Sequence, residues 1–159
     1  MTLVMRHNET LELNRAEYSG SVSTAELVAL AEFQASNPTW LTYDALSWIM
    51  PGADFNDVDL QALDAVFNRY RQLFQPHQLV IFRRSAWLCQ SPGAQSHLDH
   101  WLHAQDTRAG MSSDLRQFQT FKDAGVWLVL NAEETVALES GAGFTEIVRF
   151  TIPARGFAR

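Results

Sequence analysis

Cysteine is almost absent. Cys89 stands alone, so no intrachain disulfide can form and no multi-cysteine zinc site can be built. A single thiol is ordinary in a reducing compartment, and the expected location is the cytosol. Positive charge is also scarce. Twelve Lys+Arg face eighteen Asp+Glu, a formal net charge of -6, with a pI near 5.2. That balance excludes a domain held mainly by phosphate-backbone contacts, and no nucleic-acid partner is expected. No apolar run approaches the ~18 residues of a spanning helix. The opening Met1 to His7 lacks the long apolar core of a signal peptide, so neither a membrane span nor a leader is expected. A phosphate-cradling glycine loop is missing too. Gly141-Ala142-Gly143 follows no buried apolar strand and opens no convincing helix. Internal repeats and low-complexity tracts are absent as well.

What remains is a chain of 159 residues, 47% hydrophobic and 19% charged, which suits one domain able to bury a core. Two short extended runs, Leu3-Val4-Met5 and Leu11-Glu12-Leu13, flank His7-Asn8-Glu9 and predict an opening hairpin. Ser23-Thr24-Ala25-Glu26 has the form of a capping box, and Leu27, Leu30 and Ala31 recur at helical spacing behind it. Asn37-Pro38 stops that helix, because proline disfavours helical geometry in the residue before it. A strand is expected at Trp40-Leu41-Thr42-Tyr43.

Beyond a loop containing Pro51-Gly52, the stretch Asp59 to Phe74 sets Leu60, Leu63, Phe67, Tyr70 and Phe74 on one face of a helix. Leu79-Val80-Ile81-Phe82 is an uninterrupted apolar run of the kind a strand buried on both faces requires, and is expected to be the central strand. Ser91-Pro92-Gly93 opens a third helix carrying Leu98, Trp101 and Leu102 to about Gln105. A short strand near Arg116-Gln117-Phe118 follows, then a helix capped by Thr120 to Asp123 and carrying Ala124, Trp127 and Leu128. Residues 132–159 are read as a C-terminal extension outside the core at about 3–130, with a strand at 144–152 and a frayed end marked by Pro153 and Gly156.

This order predicts an α/β single domain, a mixed sheet with an opening hairpin and then largely parallel strands, and about four helices. It resembles the bacterial SpoIIAA-like, or STAS, fold over roughly Leu3 to Leu130. Arg116-Gln117-Phe118 through Asp123-Ala124 to Trp127-Leu128 is similar to the "R-x-F … A-x-x-W-L" ending of its less characterised SpoIIAA-like branch. The resemblance implies a small cytosolic scaffold used for protein partners or apolar ligands, with no reaction. In the anti-sigma antagonist members a phosphorylatable serine opens the helix after the strand corresponding to Trp40-Tyr43. Here that junction, Ala53 to Asp59, holds no Ser or Thr, and Ser47 lies too early. The acidic residues there read as helix caps, the alternative being that their charge at a helix start imitates a permanently phosphorylated state.

Several constellations bear on chemistry. His97, His100 and His103 recur every three residues, so each ring is rotated ~60° from the last and the outer pair diverge by ~120°. They cannot converge on one ion, and no metal is expected. Cys89, flanked by Trp87-Leu88, reads as packed rather than reactive. Glu133-Glu134 are adjacent and project apart, unlike a positioned acid/base pair. Trp87, Trp101 and Trp127 read as core, and Trp40 and Trp48 as open to a crevice. Asp44 and Arg83-Arg84 each follow a predicted strand end, where open parallel sheets bind ligands. Tyr43, Asp44, Trp48, Arg83 and Arg84 are therefore the candidate ligand-binding residues, with the helix start at Gly93-Ala94-Gln95 offering backbone N–H groups to an anion. The opposing reading pairs the arginines with Asp44 or Asp106 as structural ion pairs. The expected function is a non-catalytic binding or regulatory module of SpoIIAA-like type, acting through protein partners or an apolar or anionic small ligand. It needs no cofactor, and a homodimer stays open. The alternative is a small enzyme holding an anionic substrate at Asp44, Arg83 and Arg84.

Overall fold

A computed structural model describes residues 2–74, 83–103 and 113–151. The chain opens with strands β1 (Thr2–Asn8) and β2 (Leu13–Ser19), an antiparallel hairpin longer than the sequence runs suggested. Helix α1 (Thr24–Ser36) follows. Its capping box is formed as read: the Glu26 backbone N–H donates to Ser23 Oγ at 3.2 Å, and the Ser23 N–H donates to Glu26 Oε2 at 2.8 Å.

The next segment departs from expectation. Pro38–Thr42 forms a short 3-10 helix, and strand β3 (Asp44–Ile49) starts only after it. Proline at the first position favours the turn, and Thr42 closes it by donating its hydroxyl to the Thr39 carbonyl at 2.7 Å. Helix α2 (Leu60–Phe74) matches the amphipathic stretch. The run Leu79 to Phe82, expected as the central strand, lies outside the described residues. Strand β4 (Arg83–Cys89) is interior, between β3 and strand β5 (Ser113–Phe118). Helix α3 (Gln95–His103) connects those two strands.

The C-terminal segment is part of the fold rather than an appendage. Helix α4 (Phe121–Trp127) is followed by α5 (Ala132–Ser140), whose capping box joins Asn131 and Glu134. Strand β6 (Thr145–Phe150) then pairs antiparallel with β1, with a register shift between Met5 and Arg6. The result is α/β: a mixed six-stranded sheet ordered β5-β4-β3-β2-β1-β6, in which β2 to β5 run parallel, with five α-helices among the described residues. No helix among them is long and apolar enough to cross a membrane.

Crossovers that step in one direction with a common hand place their helices on one face. Accordingly α1, α2 and α3 bury Leu30, Leu63 and Leu98 with Leu3, Met5 and Ile49 of the sheet. The chain then returns beneath the sheet, and α4 and α5 cover the other face with Phe121, Ala124 and Leu138 against Leu13, Leu46 and Leu88. The period-two alternation of β3 and β4 sorts their side chains between these layers: Ala45, Ser47, Ser85 and Trp87 above, Leu46, Trp48, Ala86 and Leu88 below.

Helices α4 and α5 meet closely at Gly125. A Cβ placed there would clash with the Thr135 side chain, Oγ1 first. Gly125→Ala is expected to lower stability by about 1–3 kcal/mol through overpacking. Denaturant melts check this, and Thr135→Ala in the same chain should recover most of the loss by removing the clashing atoms.

Candidate functional site

Four small side chains in the middle of the sheet create space beneath the three upper helices. Ala16 of β2 sits beside Ser47 of β3, and Ala45 of β3 beside Ser85 of β4. The result is a cavity of about 90 Å³, walled by Leu27 and Leu30 of α1, Leu63 and Val66 of α2, and Leu98 of α3. At ~10–15 Å³ per enclosed water, it has room for about six to nine waters or an organic molecule of about ten heavy atoms.

Into this mostly apolar space project a few polar groups, the composition expected of a small-molecule site. Arg83, at the first position of β4, lines the cavity on the same face as Ser85 and Trp87. Burial pulls its guanidinium below the ordinary arginine range, while Tyr70, Asp44 and Tyr18 act electrostatically in the opposite sense. An arginine remains charged through such shifts. Tyr18, on β2, is 4% exposed. Burial pushes its hydroxyl up to about 12, against the lowering influence of a hydrogen bond with Ser47 and of the Arg83 charge. Burial raises Tyr70 further still, and its hydroxyl donates to Gln34 Oε1 at 3.1 Å. Asn14, Trp87, His97 and Trp101 also belong to the lining.

The sign for Tyr18 follows from its raised value. A tyrosine ordinarily titrates near ~10, so the stability gained by keeping this phenol neutral is fully present below pH ~10 and is lost as pH rises towards Tyr18's value of about 12. Ultraviolet titration should show a tyrosinate phase there, coincident with alkaline unfolding and absent in Tyr18→Phe. Ionisation of all three tyrosines near pH ~10 in a folded chain would contradict this environment.

The residues singled out from sequence are divided by the structure. Asp44 and Arg84 do meet, but through the backbone: the Arg84 N–H donates to Asp44 Oδ1 at 2.7 Å. The Arg84 side chain turns to the lower face, donating from Nη1 to the Trp127 carbonyl at 3.0 Å and lying 5.9 Å from the Trp127 ring centre. Arg83, its neighbour, faces the cavity. Trp48 also belongs to the lower face, where it packs at 5.2 Å on Phe121 and donates its indole N–H to Gln90 Oε1 at 3.0 Å. Tyr43 joins His7 and Trp40 in an aromatic group with centroid separations of 4.6 to 6.2 Å. The five therefore do not form one cluster. Asp44, Arg83 and Arg84 precede most of β3 and β4 and do not stand at their carboxyl ends: β3 begins later than the apolar pattern suggested, and β4 runs on to Cys89.

The three histidines of α3 go to three partners. His97 Nε2 lies 2.5 Å from the Val58 carbonyl, His100 Nε2 2.6 Å from Asp64 Oδ1, and His103 Nδ1 2.8 Å from the Asp99 carbonyl. Among the described residues no group of three His, Cys, Asp or Glu side chains is placed to hold a metal ion. Cys89 is half-buried, its Sγ 3.2 Å from the Ser91 carbonyl. Sequence reasoning missed Tyr18, Tyr70, Trp87 and His97 as residues that line one cavity with Arg83. An i, i+2, i+4 pattern, Arg83-Ser85-Trp87, was present, but it acquires meaning only once those residues are known to form a strand.

The chain matches no family model, and searches of curated proteins and of solved structures find no match.

Proposed function

We propose that this chain is a non-catalytic binding module whose ligand is a small organic anion with an apolar body, held between the sheet and helices α1 to α3. One observation carries the reading: a guanidinium, Arg83, faces an otherwise largely apolar cavity whose floor is made of small residues. A cation with reduced access to water attracts a carboxylate more strongly than an exposed one does, and arginine offers two parallel N–H donors to it. The apolar walls supply burial at roughly 25 cal/mol per Å² for the rest of the molecule. The SpoIIAA-like affiliation stays part of the proposal, supported by the order of an opening hairpin, parallel strands and intervening helices. The enzyme reading built on Asp44, Arg83 and Arg84 has less support, since those side chains divide between two faces.

The test is calorimetric titration of the purified chain with benzoate and with benzamide, which share a ring and differ in charge. Benzoate is expected to bind at least about ten-fold more tightly, the equivalent of one charge-assisted hydrogen-bonded pair. Equal affinities, or no binding of either, would contradict the proposal.

A further inference from the structure

The register of the three central strands fixes the outline of the cavity floor. Its side chains form rows across β2, β3 and β4: Asn14, Ala45 and Ser85 in one, Ala16, Ser47 and Trp87 in the next. Rows lie ~6.6 Å apart along the strands, and neighbouring strands are ~4.8 Å apart. Larger side chains border the small ones. Leu115 pairs with Ser85 from the β5 side, and Tyr18 and Ile49 stand in the row beyond Ala16 and Ser47. The patch of small residues therefore has about the footprint of one aromatic ring.

Smallness is confined to this face of the strands. On the opposite face Leu13, Leu46, Ala86 and Leu88 are fully packed, each at most 2% exposed. Ala16 and Ala45, which line the cavity, stay only half-buried although β2 and β3 are interior strands. Parallel strands covered on both faces ordinarily carry Val, Ile and Leu, and a missing methyl beside a void forfeits packing. A floor kept small against that tendency is explained by a molecule that must rest on it.

Resting on the anion-binding reading above, we infer that Ala45 and Ser85 are the specificity-determining residues of the cavity, limiting its ligand to an acid whose apolar body is a single ring or a chain of similar width. Arg83 precedes Ser85 by two residues on the same face of β4, so of the two rows theirs is the nearer to the cation along the strand. It underlies the part of the ligand next to the carboxylate. Branched methyl groups introduced in that row take the ligand's place, and a fused second ring exceeds the floor.

The experiment is calorimetric titration of the full chain with butyrate, benzoate and 2-naphthoate, acids of equal charge and increasing size, alongside thermal melts without ligand. Wild type should prefer benzoate to 2-naphthoate by about ten-fold or more. Ala45→Val and Ser85→Val should each lower the benzoate-to-butyrate affinity ratio by about ten-fold and raise the ligand-free midpoint by roughly 2–4 °C, because methyl groups enter a void. Ala86→Val, one residue from Ser85 but in the packed lower layer, should lower the midpoint and leave the ratio unchanged. A partly unfolded chain loses both acids equally, so the ratio separates specificity from folding. Unchanged ratios in both upper-face variants, a midpoint lowered in both, or equal wild-type affinity for benzoate and 2-naphthoate overturns the assignment and leaves anion binding standing. Benzamide, matched to benzoate in size, separates the two claims: if it binds as tightly as benzoate while the ratios shift as expected, the anion reading falls and the size assignment stands. Failure of every compound to bind wild type overturns both.

Discussion

Arg15→Ala is expected to lower the stability of the fold by about 3–5 kcal/mol, the cost of removing one partner from a buried charged network. Arg15 is 4% exposed. Its Nη1 donates to the carbonyls of Leu138 at 2.7 Å and Glu139 at 3.3 Å, at the end of α5. Helix ends carry carbonyls with no partner inside the helix and a partial negative charge, so a cation there answers both. The guanidinium also lies 4.8 Å from the Trp48 ring centre, and Glu17 approaches at 3.9 Å. Burial lowers the Arg15 pKa, with Glu17 opposing that shift and Arg6 adding to it. Substitution leaves the Leu138 carbonyl buried without this donor and opens a void beside Trp48. Gly141 depends on the same arrangement. Its φ of +82 favours glycine, and a Cβ there would stand 3.1 Å from Arg15 Nη1. Thermal melts should show a midpoint lowered by roughly 6–20 °C. Lysine should rescue little, because its compact, strongly hydrated ammonium lacks the planar face that lies over the Trp48 ring. A loss below about 1 kcal/mol would mean that α5 is held by its apolar contacts alone.

The second large effect separates two adjacent residues. Arg83→Met is expected to weaken benzoate binding by about ten-fold or more, since it removes the charged donor pair of the cavity. Arg83→Lys keeps the charge without the fork and should fall between. Arg84→Met should leave binding unchanged and lower stability by about 1–2 kcal/mol, through loss of the bond to the Trp127 carbonyl and contact with its ring. Neighbouring strand residues face opposite sides of the sheet, so the two arginines should give opposite phenotypes in paired melts and titrations. Equal loss of binding in both variants would place the anion in a shared crevice at the strand starts.

The helices were legible where chemistry marks their ends. Ser23 with Glu26 and Thr120 with Asp123 announce α1 and α4 through side chains that satisfy free backbone N–H groups. The same signature, Asn131 with Glu134 and Gly141 past the end, marks α5 and went unread. Strand limits were less visible. Asp44, Ser47, Arg83 and Ser85 are weak strand formers by composition, and they take that conformation because pairing and packing outweigh propensity. Placing β3 too early, and ending the next strand at Phe82 when strand continues to Cys89, turned Asp44, Arg83 and Arg84 into residues at carboxyl ends. The cavity was not legible at all. It arises because Ala16, Ala45, Ser47 and Ser85 come together from three strands, a juxtaposition set by register, and one sequence carries no direct mark of register.

Methyl-resolved nuclear magnetic resonance during a benzoate titration tests the binding cavity most directly. The account predicts shifts in the methyl groups of Leu27, Leu30, Leu63 and Val66, which line the cavity. Leu13, Leu46, Leu88 and Leu138, packed on the opposite face of the sheet, should not respond, nor should the exposed Val126, Val129 and Val136. Saturating shifts confined to the lower face or to those exposed valines, or none anywhere, would contradict it.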